Sequence, residues 1–519
     1  MNDPLIGVID NGSPRRVSLP QLLARLSAGS IEGYTGLRAH QADPWHVLTV
    51  QLAAAVLARQ PRDEPPEDET YWKKGLLELS RGIASAWYLV EPDVTKPAFF
   101  QHPWRNRDAQ NEGYRPKAFT PDELDVLVTA KNHDVKTSRM SAGSLEAWIY
   151  ALMMLQTTSG YLGAGNFGIV RMNGGFASRP IVSWTVDRHL SRRFLDELHQ
   201  VRRVRTEVLK RNAYGYSATG LVLTWLDPWN RNSHQYVLRD LDPRFVEACR
   251  PVRLFLGQDG TFTALCATSK ARQIGPRTLD NGDVGDPWIP INTENRNGHA
   301  ALTLTSDGFT PRRVVQLLFE QGFQLTPLQR PRSDQPGWFV GSVFVRGQGK
   351  TEGFHRLELP VPGRAVPILL RRSDDPHRQQ VAKVAQEMLT DASNAASALR
   401  FALTVLVKGG AEKAAVGSDA IAQWVDAGVK AFSREWPREF YPMLWRACTE
   451  PAEAVRKDWQ RWLVNAALAR HSDAVRQLPQ PENRRWRALI ESRRALRGVL
   501  RKHHLLPLAD EALQEESVA

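Results

Sequence analysis

The sequence predicts an α+β protein, with a large irregular mixed N-terminal domain followed by a C-terminal helical (four-helix) bundle. Three observations predict it. Up to about residue 372, short apolar runs alternate with Gly/Pro/Asn turns and with amphipathic helices, and no internal repeat appears. Beyond Arg371-Arg372-Ser373-Asp374-Asp375-Pro376, helical periodicity alone remains. The 519 residues also exceed what one compact core holds, so two or three domains are expected. The boundaries expected are 1–372 for the mixed domain, 376–505 for a basic helical bundle, and 506–519 for an acidic tail.

Taken in order, Ile6–Ile9 reads as a strand that turns at Asn11-Gly12-Ser13-Pro14. Further strands are expected at Gly220–Trp225, Val252–Leu256, Ala300–Leu304 and Phe339–Val345, with Leu124–Thr129 strand-like. Helices are expected at Pro20–Leu26, Trp45–Arg59, Tyr71–Ser85, Leu145–Gln156, Arg192–Arg211 and Thr310–Gln321. In the bundle, a helix from His377 to Lys408 ends at Gly409-Gly410, a C-cap signal. Ser418 or Asp419 caps a second through Phe432, and a third begins around Pro442. Val455, Trp459, Trp462, Leu463 and Ala466 stripe the next. Trp486, Leu489, Ile490, Leu496 and Leu500 mark the last, after Pro479 and Pro481.

Composition excludes several classes. The longest apolar run, Ala151 to Leu155, falls far short of the roughly 20 residues of a membrane span. Met1-Asn2-Asp3-Pro4 carries no charged-then-apolar signal pattern. Cys249, Cys266 and Cys448 are too scattered for a disulfide framework or a zinc site, and a cytoplasmic protein without cofactor or metal is expected.

The net charge of +12 is unevenly spread. Ala452–His504 holds 13 Lys/Arg against 5 Asp/Glu, and Arg188–Arg211 holds 8 against 3. Asp510, Glu511, Glu515 and Glu516 form the acidic tail. Clustered positive charge favours polyanions, because neutralised phosphates release counterions. The outer faces of the last two helices, with Arg484, Arg485 and Arg487, are the expected sequence-independent phosphate contacts.

Several motifs tempt and fail. Gly163-Ala164-Gly165-Asn166-Phe167-Gly168 spells GxGxxG, but a helix precedes it and Arg171-Met172-Asn173-Gly174-Gly175 follows, so a dinucleotide turn is excluded. Gly347-Gln348-Gly349-Lys350-Thr351 lacks the first glycine of a phosphate loop, Phe344 standing in its place. A hairpin fits better, with Phe339–Val345 paired to Phe354–Leu359 around an exposed tip. His40, His46, His503 and His504 lack metal-ligand spacing and read as capping or surface residues. No nucleophile elbow or carboxylate cluster argues for catalysis. Three loops suit binding: the polar basic stretch Lys131–Arg139, the glycine stretch Gly163–Gly175, and the Gln348 tip. Glycine lets backbone approach a duplex, and glutamine both donates and accepts, as a minor-groove probe must.

Those loops carry a resemblance to the CasA large subunits of type I-E Cascade. Leu5-Ile6-Gly7-Val8-Ile9-Asp10-Asn11 followed by Leu19-Pro20-Gln21-Leu22-Leu23 is similar to the family's opening. Phe167-Gly168 through Gly174-Gly175-Phe176 resembles its glycine loop, Arg346-Gly347-Gln348-Gly349-Lys350 its glutamine wedge. Ala398-Leu399-Arg400-Phe401-Ala402-Leu403 and Trp436-Pro437-Arg438-Glu439-Phe440-Tyr441 resemble its C-terminal bundle. Some relatives carry a zinc-type cysteine cluster, which this chain lacks.

The resemblance implies a non-enzymatic subunit of a CRISPR RNA-guided complex. Such a subunit recognises the protospacer-adjacent motif (PAM) in double-stranded DNA, starts strand separation for R-loop formation and docks a helicase–nuclease effector. Asn173, Gly174 and Gly175, or alternatively Gly168, would enter the minor groove; Gly347, Gln348, Gly349 and Lys350 would form the wedge. Lys270, or its rival Arg272, would be the lysine finger. Asn132, Lys136 and Arg139 would meet the handle of the CRISPR RNA and the backbone, small and RNA-processing subunits. Two other readings compete: an enzyme cleaving nucleic acid, and a basic scaffold for acidic partners.

Overall fold

The computed structural model describes residues 2–108, 112–125, 143–175, 178–347, 350–410, 419–477 and 482–506. The chain divides into two compact units: Met1–Thr310 with Gly322–Pro360, and Pro311–Gln321 with the chain from Val361 onward. Mixed helix and sheet make up the first, and helices the second.

In the first unit, β1 (Ile6–Asp10) and β2 (Ser13–Val17) pair antiparallel about Asn11-Gly12. These two residues have φ of 47° and 75°, the left-handed values that a two-residue hairpin turn demands. Strand β3 (Ile31–Tyr34) pairs with the other edge of β1. Helix α1 (Leu19–Ser27) starts at a Ser18/Gln21 capping box. Helix α2 (Ala39–Arg59) runs through the core with Trp45, Val50, Ala53 and Val56 fully buried. Each large apolar side chain so buried contributes about 1.5–3 kcal/mol. Helices α3 (Glu69–Leu79), α4 (Pro121–Leu124), α5 (Leu145–Thr158) and α6 (Leu190–Arg211) follow in this unit.

The strands form small separate sheets. Strand β4 (Arg115–Ala118) pairs with β9 (Phe262–Cys266), which pairs with β8 (Val252–Leu256). A parallel pair joins β6 (Leu221–Leu223) to β7 (Leu241–Val246). The short β10 (Ile291–Asn292) lies between β11 (Ala300–Ala301) and β12 (Phe323–Gln324). The sheet that matters most here is β5 (Pro180–Thr185) beside β13 (Gly337–Gly347) beside β14 (Lys350–Val361). Val343 stands opposite Pro180, so the end of β13 from Phe344 to Gly347 extends past the point where the glycine stretch enters β5.

The second unit holds α7 (Pro311–Leu318), α8 (Val366–Leu370), α9 (Pro376–Lys408), α10 (Asp419–Arg446), α11 (Ala452–Gln477) and α12 (Glu482–Lys502). Helix α9 is capped by Asp375 and ends at Gly409 with φ 78°, the glycine stop expected there.

The structure corrects five local expectations. Helix α2 begins at Ala39 rather than Trp45 and runs through Pro44, the burial of the side chains around it offsetting the helical hydrogen bond that proline removes. Of the strand-like run Leu124–Thr129, Leu124 instead closes a short helix, with Glu123 receiving the Phe119 and Thr120 amides, and residues 126–129 lie outside the described residues. The run Ala300–Leu304 yields only a two-residue strand. No new helix starts at Pro442: α10 continues through Pro437 and Pro442. Burial of Phe432, Phe440 and Leu444, and the edge-to-face contacts of Trp436 and Phe440 with Trp459, offset the broken hydrogen bonds. His40 and His46 are neither capping nor surface residues. Both are buried against carboxylates, His40 on Asp125 at 2.9 Å and His46 on Glu197 at 3.2 Å. Among the described residues no helix is long and apolar enough to cross a membrane.

Candidate functional site

The glycine stretch lies across the first unit as an irregular loop, and backbone hydrogen bonds from three other segments hold it. Ile169 N–H donates to Ser159 O at 3.0 Å, and Tyr161 N–H to Gly175 O at 3.0 Å, folding the loop back on its own start. A Cβ at Gly168 would lie 2.6 Å from the Gly160 carbonyl carbon, so only glycine permits that approach. The GxGxxG letters thus serve a loop that packs on its own backbone.

Beneath it sits a buried ionic layer. Glu247 accepts the Val170 amide with both oxygens, at 2.9 and 3.1 Å. Burial pushes this carboxyl up to about 7, against the pull of that amide and of Arg171, Arg272 and Arg179. Arg171 stacks over Phe245 at 3.9 Å and donates to its carbonyl at 2.7 Å. Arg171 and Arg179 both pair with Asp286, whose carboxyl they hold below the usual range despite burial.

From the far side comes the loop 267–275. Ser269 N–H donates to Gly165 O at 3.0 Å, and Lys270 N–H to Arg231 O at 2.6 Å. This places Lys270 on the rim, exposed, with no ion-pair partner among the described residues. Arg272 is buried, 9% exposed, and bound to Asp280 at 2.6 Å. The Asp280 carbonyl in turn accepts the Gly174 amide at 2.8 Å. Arg272 therefore braces the loop, while Lys270 is the accessible cation. Gly282, at φ 74°, closes the brace: a Cβ there would lie 2.7 Å from the Asn173 amide nitrogen.

Together these segments enclose a cleft of about 460 Å³, lined by Gly168, Gly174, Gly175, His234, Lys270 and Arg272 among others. Three of the four residues expected in the glycine loop line it, and Asn173 adjoins them. Gly347 and Lys350 end their paired strands, and Gln348 and Gly349 between them lie outside the described residues. Asn132, Lys136 and Arg139 also lie outside the described residues. On α12, Arg485 and Arg487 are exposed, and Arg487 pairs with Glu491 at 2.7 Å; the side chain of Arg484 lies outside the described residues. Among the described residues no group of three His, Cys, Asp or Glu side chains is placed to hold a metal ion. Sequence reasoning missed Glu247, Asp280, Gly282 and His234. They belong to other segments, and only the polar run Asn230-Arg231-Asn232-Ser233-His234 gave a local hint of a functional loop.

No protein-family model and no curated protein matches the sequence. Solved structures do. The chain is similar to the CRISPR-associated protein Cse1 from Acidimicrobium ferrooxidans, at 17% identity and TM-score 0.63, with 98% of each chain covered. Against Thermus thermophilus CasA (Cse1) the identity is 16% and the TM-score 0.61, covering 96% of this chain and 98% of that one. A chain of a structure described as a CRISPR RNA-guided surveillance complex matches at 15% identity and TM-score 0.58, over 95% and 98% of the two chains. The fold, over nearly its whole length, is that of the Cse1/CasA proteins.

Proposed function

We propose that this chain is the large subunit of a type I-E CRISPR RNA-guided surveillance complex, which recognises a short motif in duplex DNA and begins strand separation. The observation that carries the reading is the convergence of the glycine stretch and Lys270 on one cleft. The wedge hairpin springs from the adjoining sheet. The chemistry suits a minor groove: close-packed backbone for approach, the exposed Lys270 ammonium for phosphate or base edge, and the strand pair that leads to Gln348 in a neighbouring sheet. The Cse1/CasA fold supports the same assignment.

In this reading Lys270 and the Asn173–Gly175 turn contact the groove, and Gln348 parts the next base pair. Base pairing with CRISPR RNA then carries the sequence specificity. Unstacking a step costs a few kcal/mol, supplied by the contacts made once the duplex is bent. The chain itself is no enzyme here; a separate helicase–nuclease docks on the complex and cuts. Arg485 and its neighbours on α12 hold phosphates without reading sequence.

Affinity purification of the tagged full-length chain from its native host, with sequencing of the co-purified RNA, tests this. Recovery of CRISPR RNAs together with several further subunits is the expected result. A chain that purifies alone, free of RNA and indifferent to DNA, overturns the proposal.

A further inference from the structure

The cleft carries a neutral side-chain acceptor held in a fixed orientation beside the donors on its rim. Minor-groove edges offer acceptors at every base pair, adenine N3 and thymine O2 among them, and one donor only, the guanine 2-amino group. Amide N–H groups of a glycine loop and the Lys270 ammonium are donors, so they bind the acceptors common to all pairs. Telling a G·C pair from an A·T pair in this groove requires an acceptor.

His234 meets that need. Its Nδ1 lies 2.9 Å from the Arg272 carbonyl oxygen. A carbonyl only accepts, so the proton of the neutral ring sits on Nδ1 and Nε2 keeps its lone pair. Nε2 has no hydrogen-bond partner among the described residues. The ring is also fixed in place. Gly275 passes so close that a Cβ there would fall 2.2 Å from the His234 Cγ. The two loops are zipped together on either side: Lys270 N–H to Arg231 O at 2.6 Å, Gln235 N–H to Gln273 O at 2.7 Å, and Gly275 N–H to Tyr236 O at 2.9 Å. His234 is exposed and lines the same cleft as Lys270 and the glycine turn. Such a group is oriented before any ligand arrives, so little is lost in ordering it.

We propose that His234 is a specificity-determining residue: its Nε2 accepts a hydrogen bond from the 2-amino group of a guanine at one position of the DNA motif. The inference rests on the functional reading above and adds to it which base the protein senses, and through which atom. Asp280 is the rival acceptor in the cleft, but one carboxylate oxygen is taken by Arg272. A full negative charge is also poorly suited to a groove flanked by phosphates.

Inosine in place of guanine removes the 2-amino group and nothing else from the minor groove. The complex carrying the full-length chain is measured for affinity to duplexes with guanine or inosine at each motif position in turn. The parent is expected to bind the guanine duplex about three- to tenfold more tightly at one position, the worth of one neutral hydrogen bond. For His234→Phe the ratio at that position falls to that of the remaining positions. An equal ratio in His234→Phe and parent overturns the inference and passes the role to Asp280. A parent with no guanine-over-inosine preference at any position overturns it without recourse to a variant. Binding that depends on no motif at all overturns the functional reading itself, and this inference with it.

Discussion

Glu247 offers a test of the loop's foundation that needs no nucleic acid. Its carboxyl, 4% exposed, moves from 4.5 to about 7 on burial, in spite of its bond to the Val170 amide. A carboxyl with a raised value holds its proton more tightly in the folded state than in the unfolded. Its contribution to stability is complete below about 4.5 and is lost as the pH climbs through about 7. The gap corresponds to ~3 kcal/mol. Glu247→Gln keeps an oxygen for the Val170 amide and never ionises, so it should not suffer that loss. Urea unfolding of both proteins at several values between pH 5 and pH 8 gives the difference curve directly. Relative to the parent, the variant should gain up to ~3 kcal/mol across that window, with most of the change below pH 7. A difference that stays flat with pH would show that the carboxyl is ionised in the folded protein throughout. The account of burial outweighing Arg171 and Arg179 would then be wrong.

Other outcomes follow from the same geometry. Lys270→Ala should weaken duplex binding across all sequences and reduce the salt slope by about one, while Arg272→Ala should leave the slope and loosen the loop, read as faster amide exchange at Gly174. Gly282→Ala should cost ~1–3 kcal/mol, since φ 74° is strained for alanine and its Cβ meets the Asn173 amide; a chemical denaturation midpoint measures it. Gln348→Ala should impair R-loop formation more than weak duplex association, and equal R-loop yields from mutant and parent would remove the wedge assignment. Neutralising Arg484, Arg485 and Arg487 together should weaken binding uniformly with a shallower salt dependence, Arg487 contributing least because Glu491 already engages it.

What the sequence made legible was local. The Asn11-Gly12 turn, the Gly409 stop and the pairing of the strands on either side of Gln348 all follow from φ preferences and periodicity within a few residues. What it concealed was long-range. His40 and His46 look like surface residues until Asp125 and Glu197 arrive from distant segments to make their burial tolerable. Pro442 reads as a helix break until the aromatic contacts around Trp459 outweigh its lost hydrogen bond. At the site, the glycines were visible because glycine advertises itself. Their supports were not: a carboxylate that holds one amide, or a carbonyl that holds another, has no signature in residue order. The choice between Lys270 and Arg272 as accessible cation likewise needed Asp280, which occupies one and leaves the other exposed.

The membership of α7 in the second unit bears on how this chain could be cut or exchanged. Arg378, on α9, is 4% exposed, and its guanidinium donates to the Leu318 carbonyl at 3.0 Å and to Glu320 at 2.9 Å. Both acceptors lie on the segment Pro311–Gln321, separated in sequence from the other bundle helices by Gly322–Pro360. A fragment that starts at α9 loses both of these acceptors and opens the Arg378 guanidinium to water. Recombination between relatives at a single crossover before α9 would also mate the bundle of one parent with the α7 of another. The bundle is therefore inherited as two pieces of gene, and substitutions at Glu320 and Arg378 should travel together.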